Sequence, residues 1–375
     1  MERSGVAYLP LHGGKAPSWL IRRMVKLADA IVKIIVDEYG VHEFLRRVSN
    51  PFWFQSFGCV LGYDWHSSGV TTVVSGVLRT ALKHERHGLA VGGGKGRRST
   101  QTLNDIETIG NLFNLSTSKI EKLKYASRIT AKIDNAAIQA GYPLYHHAFI
   151  VSEDGDWAVV QQGMNIHDKT ARRYHWLSTA IKSYVNEPHT AIVGDAVRKR
   201  VLDMTSSKSE NCRKVCVDLV KEGPSKVLNA LRSIKPRYQE SLDRWLSNSS
   251  TSYTVDTLYM PFNINWDALK NAYEVKPRNF EELLSIKGIG PATIRGLALI
   301  SEIIYGTPPS WKDPVKYSFA FGGKDGVPFP VDREAMDEAI EFLVGVIEKA
   351  EINDRERMNS LRRLRGYCNI QTCHK

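Results

Sequence analysis

The chain has 375 residues, 42% of them hydrophobic, and carries a formal net charge of +11 with a pI near 9.3. That length predicts two or three domains, and the apolar fraction excludes an intrinsically disordered chain. No apolar run of about eighteen residues is present, which excludes a helical membrane span, and the basic balance favours an anionic partner.

Residues 1–16 read as an extended segment ending in a glycine-lysine loop, His12-Gly13-Gly14-Lys15. It lacks a signal-peptide apolar region, so a cytoplasmic protein with reduced cysteines is expected. Pro17 opens an amphipathic helix with Leu20, Met24, Leu27, Ile31 and Ile34 on one face and Gly40 as its stop. A shorter helix reaches about Val48. The aromatic-rich segment 52–66 is read as core strand and loop, and 70–83 as helix. Leu89–Val91 is a short strand running into Gly92-Gly93-Gly94-Lys95-Gly96-Arg97-Arg98-Ser99, read as a mobile basic loop touching phosphate. It does not match the spacing of a nucleotide-binding P-loop. Helices are expected over 102–114 and 117–140. The latter carries a basic stripe of Lys124, Arg128 and Lys132.

Residues 147–162 give the clearest strand signal. Asp154-Gly155 favours a two-residue hairpin turn, which pairs His147 with Gln162. Both strands are apolar on both faces, so a buried hairpin is expected. A helix over 168–186 follows, and the polar stretch 205–211 is read as a domain boundary. Beyond it nearly everything reads as helix: 212–221, 224–233, 236–247, 264–272, 332–351 and 354–365. An irregular connection spans 306–331.

Within the second half, residues 279–305 predict two short helices joined by Lys287-Gly288-Ile289-Gly290. Asn279 and Glu282 have capping-box spacing, and Pro291 suits a first helical position. The two glycines permit positive φ and close approach of a phosphate. Backbone N–H groups and a helix dipole then converge on one point, with Lys287 and Arg295 adding charge. The stretch resembles the helix-hairpin-helix motif of DNA repair and recombination proteins. That resemblance implies sequence-independent backbone binding.

Polar residues set among aromatics suggest a pocket. Asp64, His66, His147, Gln162 and His175 are the candidate catalytic set, with Asp64, His66 and His147 as ligands for Mg or Mn that activates a water. Arg172 and Arg173 would neutralise the scissile phosphate. Lys95, Arg97 and Arg98 join Lys287, Gly288, Ile289, Gly290 and Arg295 as DNA-binding residues. The hairpin resembles a restriction-type nuclease core, but Gln161-Gln162-Gly163 lacks its lysine, so no roles are transferred.

Taken together, LPLHGGKAPSWL, DWHSSGVTTV, AVVQQGMN, ARRYHWLS and KGIGPATIRGLALISE resemble a largely archaeal family of unknown function carrying a helix-hairpin-helix. The resemblance spans most of the chain and implies no catalytic residues. The expected fold is α+β: a mixed domain over 1–205 with a buried β-hairpin, then an all-α domain over 206–375. The expected function is DNA binding in repair or recombination, on single-stranded or branched duplex DNA, with metal-dependent phosphodiester hydrolysis as the activity. A non-enzymatic DNA-binding or adaptor protein and an RNA-processing factor are the alternatives. A homodimer or a repair-protein partner is also open.

Overall fold

The computed structural model describes residues 17–63, 68–194, 197–234, 263–315 and 333–372. The fold is mixed α+β. Its centre is a five-stranded antiparallel sheet in the order β1-β3-β4-β5-β6, made of β1 (Leu89–Lys95), β3 (Leu144–Ser152), β4 (Trp157–Asn165), β5 (Thr170–Leu177) and β6 (Ala191–Gly194). A small ladder pairs β2 (Ile138–Gln139) with β7 (Leu202–Asp203).

Helices cover both faces of the sheet, which explains why β3, β4 and β5 are buried nearly from end to end. One face carries Phe149, Val151, Trp157, Val159, Tyr174 and Trp176. It packs against α6 (Thr102–Leu112), α7 (Thr117–Lys132), α8 (Glu210–Lys221) and the helices that follow: α9 (Pro224–Ile234), α10 (Trp266–Val275), α11 (Phe280–Ser285) and α12 (Pro291–Ile303). The other face carries Ala148, Ile150, Ala158, Val160 and Leu177. It packs against α1 (Ser18–Tyr39), α2 (Val41–Val48), α3 (Pro51–Leu61) and α4 (Gly69–Ala81), joined by α13 (Arg333–Lys349) and α14 (Asp354–Thr372). A single-turn α5 (His84–His87) precedes β1. The two apolar cores therefore do not divide at 205/206. One pools residues from Ile106 to Ile300, and the other pools Met24 to Leu177 with Ala339 to Leu364.

Three local expectations change. Residues 51–61 are helix rather than strand. Asn50 accepts from the Phe52 and Trp53 amides, Pro51 fills the first turn, and every residue of α3 is buried. A helix apolar on every side has no amphipathic stripe to announce it. The expected helix over 168–186 is instead β5, whose two arginines masked a strand rich in buried aromatics. The hairpin between β3 and β4 turns through three residues. The Ser152 amide donates to the Asp156 carbonyl (2.8 Å), and Gly155 sits at φ +86°. This shifts the register by one, so His147 faces Gln161 and His146 faces Gln162. The segments 1–16, with its glycine-lysine loop, and 236–247 lie outside the described residues, as do Asp64 and His66. No described helix is long and apolar enough to cross a membrane.

Candidate functional site

The one-residue shift decides the geometry of the site, because each step along a strand changes face. His147 and Gln161 point to the α7 side, whereas His146, Gln162, Arg173 and His175 point to the α1–α4 side. The expected catalytic set is thus split by the sheet. His147 does not meet Gln162 or His175.

On the α1–α4 side, Gln162 Nε2 donates to the Ser68 carbonyl (2.9 Å) and to the Tyr145 hydroxyl, while Thr71 donates to Gln162 Oε1. His175 Nδ1 lies 3.2 Å from the Val48 carbonyl, and its ring meets Phe54 edge-on. Arg173 is fully buried, with its guanidinium 3.2 Å from Gln55 Oε1 and 4.8 Å above the Phe54 ring. Arg172, on the opposite face and equally buried, pairs with Asp313 (2.7 Å) and stacks on Tyr142. Both arginines knit the interior, so neither is a cation presented to a nucleic-acid phosphate.

The α7 side holds a continuous polar chain. Asp134, in the π turn Ile133–Ala137 that ends α7, is buried. Its Oδ2 accepts from Gln161 Nε2 (2.6 Å) and Trp176 Nε1 (2.9 Å), and its Oδ1 accepts from His189 Nε2 (2.5 Å). Gln161 Oε1 lies 2.7 Å from His147 Nδ1, and His147 Nε2 lies 2.9 Å from Ser127 Oγ. Indole N–H only donates, so Asp134 Oδ2 is an acceptor and Gln161 must turn its amide nitrogen to it. Gln161 Oε1 then accepts from His147 Nδ1–H, which leaves Nε2 as the lone pair facing the Ser127 hydroxyl. Burial holds His147 down to about 4, against a smaller upward pull from the Gln161 hydrogen bond. Burial pushes Asp134 up, opposed by its hydrogen bonds and by the charge of His189.

Ser127 and His147 line a surface cleft of about 280 Å³, together with Arg128, Thr102, Tyr145 and His146. Its rim is the 3₁₀ turn Gly96–Gln101, on which Arg97 and Arg98 are exposed, as is Lys95 just before it. Lys95 Nζ stands 5.9 Å from the Tyr145 ring. Arg128 is exposed, whereas its stripe neighbour Lys124 is engaged by Glu107 and Glu121. The glycine run before this rim is strand rather than mobile loop. The Gly93 amide donates to Asp105 (2.9 Å), and a Cβ at Gly93 would stand 2.2 Å from the His147 carbonyl oxygen. Gly93 therefore serves close packing of β1 onto β3, while the exposed cations beyond the glycines stay available to solvent.

Beside α7 sits the pair α11 and α12. Asn279 caps α11 by accepting from the Glu282 amide (2.9 Å). Glu282 turns back to Arg278 instead of closing the expected capping box. Gly288 has φ +89°, but Gly290 is extended at φ −128°, so only the first needs glycine's conformational freedom. Lys287 and Gly288 are exposed, Gly290 and Arg295 half-buried, and Ile289 buried in the core. Tyr125 on α7 donates to Glu281 (2.6 Å), and Gln139 Nε2 donates to the Pro291 carbonyl (2.8 Å). The turn and the cleft thus flank the same helix.

Of the expected ligands for Mg or Mn only His147 lies among the described residues, since Asp64 and His66 fall outside them. Both ring nitrogens are engaged, by Gln161 and Ser127, and no group of three potential ligands comes together among the described residues. Ser127, Asp134 and His189 are not legible as site residues in the sequence, since no fixed spacing links a helix, a π turn, a strand and a loop; Gln161 stands out there as a polar residue costly to bury but not as a member of the catalytic set.

The family described as "Protein of unknown function (DUF763)" matches residues 5–331. The chain belongs to the DUF763 family. No curated protein and no solved structure matches it. In this DUF763 chain, α13 and α14, which help to close the second core, lie beyond the matched stretch.

Proposed function

We propose that the protein binds the nucleic-acid backbone, DNA in the first instance, in the manner of a helix-hairpin-helix protein. The observation that carries this reading is the turn 286–290. Its exposed Lys287 and Gly288 stand at the start of α12, whose first-turn amides have no side-chain cap. Such amides have no intrahelical acceptors and lie at the positive end of the helix dipole, a combination suited to a phosphate oxygen. The exposed Lys95, Arg97, Arg98 and Arg128 extend the basic surface across α7, and the net charge of +11 agrees with an anionic partner.

Fluorescence anisotropy with labelled single-stranded, duplex and branched DNA, and with RNA of matched length, tests it across a salt series. Lys287→Ala, and the triple replacement of Lys95, Arg97 and Arg98 by alanine, should weaken binding. Each lost phosphate contact should flatten the salt slope by about 0.7 to 0.9. Unchanged affinity and slope in both variants would remove these surfaces from the interface. Tighter binding of RNA than of DNA would move the reading to RNA processing. Binding without cleavage in Mg²⁺, Mn²⁺ or EDTA would favour an adaptor.

A further inference from the structure

We propose that Ser127 and His147 are a nucleophile–base pair that attacks a phosphodiester at the floor of the cleft; the phosphodiester substrate class rests on the nucleic-acid reading above. Three observations converge. The two side chains touch at 2.9 Å and both line the open cleft. The relay from Asp134 through Gln161 fixes the imidazole tautomer, so the free lone pair points at the hydroxyl. Arg128 lines the same cleft and supplies a cation where negative charge would build on the phosphoryl oxygens.

A hydroxyl hydrogen-bonded to a neutral imidazole is the arrangement that nucleophilic catalysis needs. In the first step Ser127 Oγ bonds to phosphorus, its proton passes to His147 Nε2, and the ester bond to the leaving oxygen breaks. His147 then returns that proton to the leaving alkoxide. In the second step His147 takes a proton from water, the hydroxide attacks the phosphoserine, and the P–Oγ bond breaks. Ser127 recovers its proton. No oxidant and no metal enters this balance. Asp134 and Gln161 act through His147 as positioning residues.

The test uses the full chain in EDTA, with a fluorophosphonate probe and with bis(4-nitrophenyl) phosphate as a simple diester. The native protein should be labelled at Ser127, located by peptide mass, and should release 4-nitrophenolate. Ser127→Ala should abolish both, and His147→Gln should slow labelling about 100-fold or more, the scale of lost general-base catalysis. Absence of label on Ser127 in the native protein overturns the proposal even if the variants do not fold. So does diester hydrolysis that survives Ser127→Ala. DNA binding measured on the same native sample separates the two readings. Binding without labelling sinks the nucleophile pair alone, whereas labelling without binding sinks the nucleic-acid reading and leaves the pair standing.

Discussion

Replacing Gly288 and Gly290 one at a time by alanine separates the two roles assigned to the turn between α11 and α12. Gly288 sits at φ +89°, where an alanine costs about 1–2 kcal/mol. Its new Cβ would stand 2.7 Å from Ala268 Cβ and 2.9 Å from Asn265 Nδ2. Neither contact can persist, and relief of such overpacking costs about 1–3 kcal/mol. Asn265 is also the cap of α10, accepting from the Ala268 amide (2.9 Å), so its displacement threatens about 1 kcal/mol more. Gly288→Ala should therefore destabilise the protein by about 3–6 kcal/mol. Gly290 is extended, and its nearest neighbour to a new Cβ is the Gly288 carbonyl oxygen at 3.9 Å. Gly290→Ala should leave stability unchanged or raise it by about 0.5 kcal/mol, through the lowered entropy of the unfolded chain. Its methyl would nonetheless crowd a phosphate seated on the turn and weaken DNA binding several-fold. Urea unfolding followed by tryptophan fluorescence and by circular dichroism gives the first comparison, and anisotropy with labelled DNA gives the second. Equal destabilisation by the two variants, or an unshifted urea midpoint for Gly288→Ala, would refute this account of the turn. Full DNA affinity in Gly290→Ala would detach the turn from the phosphate.

Gly93→Ala, with its Cβ 2.2 Å from the His147 carbonyl oxygen and 2.6 Å from Thr102 Oγ1, should lower stability by about 3 kcal/mol or more; Gly96→Ala, with open space around it, should cost about 1 kcal/mol by the same urea assay. Asp313→Ala strands the buried Arg172 and should cost about 3–5 kcal/mol, read as a lower urea midpoint. His146 and His147 are held down to about 3 and about 4 by burial, so below the ordinary histidine value the unfolded chain binds more protons than the folded one. Their stabilisation is fully present above that value and is lost as pH falls toward 4. Unfolding free energy should drop by about 4 kcal/mol between pH 6 and pH 4 from these two groups. A flat profile across that window in urea titrations would show that they are not buried as neutral rings.

The parts of the fold legible in the sequence are those set by neighbours along the chain. Asn279 and Pro291 mark where α11 and α12 begin, and α1, α4, α6, α8 and α9 follow their apolar spacing to within a few residues. The hairpin was legible as a buried element but not in register. Asp154-Gly155 favours a two-residue turn, yet Asp156 pairs with Ser152 across a three-residue one. That single residue placed His147 on the opposite face of the sheet from Gln162 and His175. The arginines of β5 hid a strand because they meet groups distant in sequence, Asp313 for Arg172 and Gln55 among the partners of Arg173. The chain from Ser127 to His189 was illegible for the same reason. Its members are brought together by tertiary packing, and each alone reads as an ordinary polar residue.

The packing of α13 and α14 against α1 and α3 has a consequence for synthesis. Met24, Phe57 and Val60 belong to a core that also needs Leu343, Ile347 and Leu364. A ribosome makes the first group some three hundred residues before the second, about 15–60 seconds earlier at ordinary elongation rates. Throughout that interval the nascent chain carries an unfinished apolar wall. Shielding by chaperones during translation therefore bears on the yield of active protein, and expression at lowered temperature or with holdases should raise the soluble fraction.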